Sequence, residues 1–155
     1  MKVSVDIEIE QPKEAVWAAI TDIENCENFI SAIVDLKILN KPENGLVGLK
    51  WQETRLMFGK EASETMWITE SVENEYYCTR AESHGSVYIS RLSLSEAGNY
   101  TLLTMTFTAE AQTLPVKIIS AIMGIFIKSS MKKALLKDLE DIKKYVEQSQ
   151  VELNT

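Results

Sequence analysis

Residues 114–148 read LPVKIISAIMGIFIKSSMKKALLKDLEDIKKYVEQ, a run of thirty-odd residues with Gly124 as its one strong break. Ile118, Ile122, Ile125, Leu135, Leu139, Ile142 and Val146 recur at helical intervals, so the spacing predicts one long helix ending at about Gln148. Its apolar first part, residues 114–127, is interrupted by Lys117 and Ser120 and falls short of the ~20 residues needed to cross a bilayer. It reads as a buried helix, and stable membrane insertion is not expected.

Upstream of that helix the dominant period is two. From Val3 to Ile9 the odd positions are aliphatic and Ser4, Asp6 and Glu8 fall between them, the pattern of a strand with one wet face. Ala15, Val16, Trp17, Ala19 and Ile20 then follow helical spacing, with Pro12 suited to a first helical turn because its lost amide has no partner there anyway. A second short helix is expected from about Glu24, capped by Asp22. Strands are expected over 33–39, 47–55, 61–70, 76–83, 87–95 and 100–110, joined by Gly, Asn and Pro chemistry such as 40–45 and His84-Gly85. The short connections imply sequential antiparallel pairing. The expectation is an α+β domain over 1–150 with a polar tail over 151–155, the sheet's concave side meeting the long helix.

The chain carries 155 residues and a formal net charge of −7, with 45% hydrophobic and 25% charged residues, the balance of an ordinary globular protein. Such an acidic surface repels phosphate backbones, so nucleic acid and anionic lipid headgroups are poor partners. Cys26 and Cys78 lack a Cys-x-x-Cys pair or a neighbouring histidine and are read as two free buried thiols. The N-terminus lacks the continuous apolar region of a signal peptide, which points to the cytoplasm. With one histidine, His84, in an apparent strand connection, no metal site is expected. No Gly-x-Ser-x-Gly, Walker loop or dinucleotide glycine pattern is present, and no cofactor is implied.

Several segments together resemble the START-related (SRPBCC) ligand-binding superfamily, within it the bacterial polyketide cyclase/dehydrase-like branch. They are Pro12-x-x-x-x-Trp17, Asp22-Ile-Glu-Asn25 followed by Asn28-Phe29, Gly48 with Trp51-Gln52-Glu53-Thr54, Met57-Phe58-Gly59-Lys60-Glu61, and Leu114-Pro115. Each is weak alone; their order and spacing carry the resemblance across nearly the whole chain. Phe29 stands where relatives often carry tryptophan. The resemblance implies a helix-grip fold: a seven-stranded curved antiparallel sheet wrapped around the C-terminal helix, with two short helices between strands 1 and 2. It also implies a cavity for lipids, polyketides or aromatic compounds, used by carriers, sensors, cyclases or dehydratases. Fold alone does not choose among these.

Alternation puts Trp51 and Glu53 on one strand's concave face, with Met66, Tyr77, Tyr88, Met105 and Phe107 on the strands that follow. Ile118, Ile122 and Phe126 form the opposing helix wall in the same reading. Two arrangements satisfy this pattern: a pocket for a small hydrophobic ligand, or a filled core. Glu53 is the one candidate acid/base, and its competing role is an ion pair with Arg55 or Arg80. Lys137, Asp138, Glu140 and Asp141 are read as a solvated helix face, with pairs such as Glu140 with Lys144. The leading expectation is a carrier or sensor, a monomer or homodimer; the alternative is a cyclase or dehydratase using Glu53, with Tyr77 or Tyr88 polarising a carbonyl.

Overall fold

The computed structural model describes the backbone of residues 1–57, 59–111 and 114–153, and their side chains outside 111–127 and 150–153. Strand β1 (Lys2–Ile9) buries Val3, Val5 and Ile9 and exposes Lys2, Ser4, Asp6 and Glu8, as its alternation requires. Helix α1 (Lys13–Thr21) follows, burying Val16, Trp17, Ala19 and Ile20. Pro12 lies just outside the first turn that the sequence suggested for it. Its ψ of 155° is extended, and its carbonyl accepts the Ala15 and Val16 amides at 3.0 and 3.3 Å.

The second short helix is of the 3-10 type, Ile23–Asn28, and Asp22 makes no side-chain cap. The Asp22 backbone carbonyl instead takes the Asn25 amide at 3.1 Å and the Cys26 thiol at 3.4 Å. Apolar residues every third or fourth position fit both helix types, so the sequence pattern did not separate them.

The remaining strands are β2 (Ile33–Asn40), β3 (Lys50–Met57), β4 (Lys60–Val72), β5 (Tyr76–Ser83), β6 (Ser86–Ala97) and β7 (Tyr100–Ala111). They form one antiparallel sheet in the order β1-β7-β6-β5-β4-β3-β2. β3 begins at Lys50 rather than at Val47. Gly48 has φ +94°, its amide bonds the Ile68 carbonyl at 2.9 Å, and the Leu49 amide turns back to the Leu46 carbonyl at 3.0 Å. Val47 is consequently exposed although it continues the apolar alternation. Between β5 and β6, His84 and Gly85 both have positive φ, 49° and 76°, matching the two-residue turn that suits twisted strands.

Register sets the concave face in rows: Tyr77 opposes Leu92, Leu92 opposes Met105 and Met105 opposes Val5; next to them Thr79 opposes Ser90 and Ser90 opposes Phe107. Helix α2 (Leu114–Leu153) packs against β1 and β7 on this face. It continues past the expected end at Gln148, so residues 151–153, expected in a polar tail, are helical. Leu135, Leu139, Ile142 and Val146 join Val3, Val5, Ile9 and Leu103 in the core, each such side chain contributing about 1.5–3 kcal/mol by burial.

Polar contacts fix the helix lengthwise. Asp141 accepts the Ser31 amide and hydroxyl at 2.9 and 2.8 Å, Glu147 accepts the Glu10 amide at 3.0 Å, and Phe29 stacks on Tyr145 with ring centroids 4.1 Å apart. The i,i+4 pairs observed on α2 are Lys137–Asp141 and Lys143–Glu147 rather than Glu140–Lys144.

Candidate functional site

Where the sheet curves away from α2 and the 3-10 helix, a cavity of about 360 Å³ remains. Trp51, Glu53, Met66, Tyr77, Tyr88, Met105 and Phe107 all line it. These residues share one face of the sheet, as period-two alternation requires, and among the described residues a pocket lies between that face and the helix. Ile118, Ile122 and Phe126 have side chains outside the described residues. The described helix wall consists of Met131, Ala134, Leu135, Asp138 and Ile142, spaced by three and four as one helix face requires. Ile20, Ile23, Cys26, Phe29 and Ile30 close the end nearest the short helices.

The cavity's polar cluster gathers at Arg55. Its Nε donates to Glu53 Oε2 at 2.5 Å and an Nη donates to Asp138 Oδ2 at 2.7 Å. The Trp51 indole N–H donates to the other Glu53 oxygen at 3.0 Å. Trp51, Glu53 and Arg55 share a face because they alternate on β3; Asp138 reaches them from α2 across the cavity. Of the two partners considered for Glu53, Arg55 is the one found, while Arg80 pairs with Glu82 at 2.7 Å away from it.

Asp138 corrects the sequence reading. It was expected on a solvated face, yet it is 3% exposed. It follows Leu135 by three and precedes Ile142 by four, so its helical phase is that of the core stripe; the dense charges around it concealed that signal. Burial raises the pKa of its carboxyl above the ordinary value, opposed by the Arg55 guanidinium. Arg55 itself feels burial working against its charge, but Asp138 and Glu53 outweigh that and hold it firmly protonated. Asp138 Oδ1, shielded from solvent, has no hydrogen-bond partner among the described residues.

Two further polar groups in the wall, Tyr77 and Cys26, are committed to the fold. The Tyr77 hydroxyl donates to the Ile20 carbonyl at 3.0 Å, and burial pushes its pKa well above the ordinary phenol range. This removes Tyr77 as a ready donor to a substrate carbonyl. Cys26 is pushed up to about 12, by burial first and then by the Glu53 carboxylate, which leaves an unreactive thiol. Both cysteines are free and buried. His84 is exposed on its turn. Arg91 is exposed and lies over the Tyr76 ring, 3.8 Å from its centroid.

A sheet wrapped on one long helix, with an apolar cavity between them, defines a START-like helix-grip protein. A family model described as polyketide cyclase / dehydrase and lipid transport matches residues 1–147, and the chain belongs to that family. Among solved structures, it is similar to TTHA0849 from Thermus thermophilus, with 16% identity over 96% of this chain and 99% of that one, and a TM-score of 0.80. A START superfamily protein from Mycobacterium smegmatis shares 19% identity over 95% and 97% of the two chains, TM-score 0.79. The Zhui aromatase/cyclase from a Streptomyces species shares 10% identity over 96% and 94%, TM-score 0.75. At these identities the likeness is one of fold. No curated protein sequence matches the chain. Among the described residues, no helix is long and apolar enough to cross a membrane.

Proposed function

We propose that this protein holds a small hydrophobic molecule, of lipid, polyketide or aromatic type, in the cavity between sheet and α2, acting as a carrier or sensor. The observation that carries the reading is an apolar cavity of about 360 Å³ whose buried charged groups, Glu53, Arg55 and Asp138, are engaged with one another. A site of this make-up binds by shape and apolar contact, with a few polar groups fixing orientation. Trp51, Met66, Tyr88, Met105 and Phe107 supply the contact surface. The Glu53–Arg55–Asp138 cluster orients the guest. We place the protein in the cytoplasm as a monomer or homodimer.

The test is native mass spectrometry combined with displacement of an environment-sensitive dye by a panel of lipids and aromatic compounds. Saturable binding of at least one class supports the reading, and none across the panel defeats it.

A cyclase or dehydratase using Glu53 is the second reading, motivated by the family and by a carboxylate in the cavity wall. Geometry counts against Glu53 in that role, because both its oxygens already accept hydrogen bonds from Trp51 and Arg55. Glu53→Gln would abolish turnover of a genuine substrate if the enzyme reading held; retained turnover would remove Glu53 from the chemistry.

A further inference from the structure

We propose that the cavity selects an uncharged guest carrying a hydrogen-bond donor, an alcohol, phenol or N–H, and places that donor at Asp138, discriminating against free carboxylic acids. The inference rests on the binding role proposed above and specifies its ligand class.

Four observations support it. Asp138 is a wall residue of the cavity, 3% exposed, and its Oδ1 is the one buried side-chain polar atom among the described residues that lacks a partner. Buried carboxylate oxygens are ordinarily supplied with donors, and a guest in contact with that wall is the natural source. Charge at this pole is unbalanced as well: two carboxylates, Glu53 and Asp138, share the single Arg55 guanidinium. Glu64, opposite Glu53 in the register, adds a further carboxylate to the lining. A guest carboxylate would enter as one more negative group in a poorly solvated site, whereas a neutral hydroxyl supplies the missing donor at no cost in charge. Apart from the Thr79 and Ser90 hydroxyls and the Cys26 thiol, the remaining lining is aliphatic, aromatic and thioether, which fits the rest of an amphipathic guest with one polar end.

The experiment titrates the intact protein with three guests of one skeleton, 2-naphthol, 2-methoxynaphthalene and 2-naphthoate, by calorimetry at neutral pH. 2-Naphthol is expected to bind at least about tenfold more tightly than either analogue, the effect of one hydrogen bond to a charged group. In Asp138→Asn the amide oxygen can keep the Arg55 contact while an N–H₂ donor replaces the unpartnered oxygen, so the preference for naphthol over the methoxy compound is expected to collapse. Equal binding of all three by the wild-type protein, preference for naphthoate, or an unchanged naphthol preference in Asp138→Asn overturns the inference while leaving the binding role intact. Absence of binding by all three overturns the inference, and the binding role falls with it only if the whole lipid and aromatic panel also fails to bind. The wild-type comparison decides the matter even if the variant does not fold.

Discussion

Replacing Arg55 by Met tests the cluster that organises the cavity. The guanidinium bridges two carboxylates whose side chains are 7% and 4% exposed, at 2.5 and 2.7 Å, and methionine keeps much of its length but none of its charge. Removing one partner of a buried ion pair costs about 3–5 kcal/mol, because what remains is uncompensated buried charge. In a domain of this size each kcal/mol is worth about 2–4 °C, so the melting temperature would fall by roughly 6–20 °C at neutral pH. Urea unfolding of wild type and Arg55→Met at a series of pH values is the assay. Acidification neutralises the stranded carboxylates, so the gap between the two proteins would narrow from about pH 7 to pH 4. The triple variant Glu53→Gln, Arg55→Met, Asp138→Leu would recover most of the loss, since an uncharged replacement of the whole cluster leaves no charge buried. A loss under about 1 kcal/mol for Arg55→Met, or a gap independent of pH, would refute the reasoning.

Other consequences can be checked on the same material. Leu139→Ala, at a fully buried position where α2 meets the sheet, would cost about 2–5 kcal/mol in urea unfolding, whereas Leu136→Ala, three residues earlier and exposed, would cost under about 1. Asp141 resists burial's upward push because Lys137 and Ser31 donate to its carboxylate, and its folded pKa lies below the ordinary value. Its stabilisation is therefore present above the unfolded value of 3.8 and is lost as pH falls through the folded one, so Asp141→Asn would cost about 1 kcal/mol at pH 7 and progressively less as the solution is acidified below 3.8. With a pKa pushed up to about 12, Cys26 would react with a thiol reagent at pH 8 only as fast as the protein opens; labelling at the rate of a free thiol would contradict its burial.

The sheet was legible because alternation has an unambiguous period. Trp51, Glu53, Met66, Tyr77, Tyr88, Met105 and Phe107 could be assigned to one wall before any coordinates, and Arg55 follows from the same parity as Glu53. Failures occurred where backbone geometry overrides pattern. Val47 and Leu49 alternate with Trp51 as if in one strand, but the positive φ of Gly48 ends that continuity. Asp138 was missed for a different reason. A helical charge reads as solvated when its neighbours at 137, 140 and 141 are charged, and only its three- and four-residue spacing from Leu135 and Ile142 reveals the buried face. The pairing with Arg55 joins residues 83 positions apart and depends on tertiary packing that no local pattern encodes.

The central claim is that the space between sheet and α2 holds a guest, and filling that space tests it most directly. Ala134 faces the cavity from α2, and Ala134→Phe would occupy part of the volume while leaving every residue of the Glu53–Arg55–Asp138 cluster in place. Titrating both proteins with the tightest-binding compound from the panel, the account predicts saturable one-to-one binding to the wild type and its loss in a folded Ala134→Phe variant. Equal binding by the two proteins would place the guest elsewhere and contradict the account.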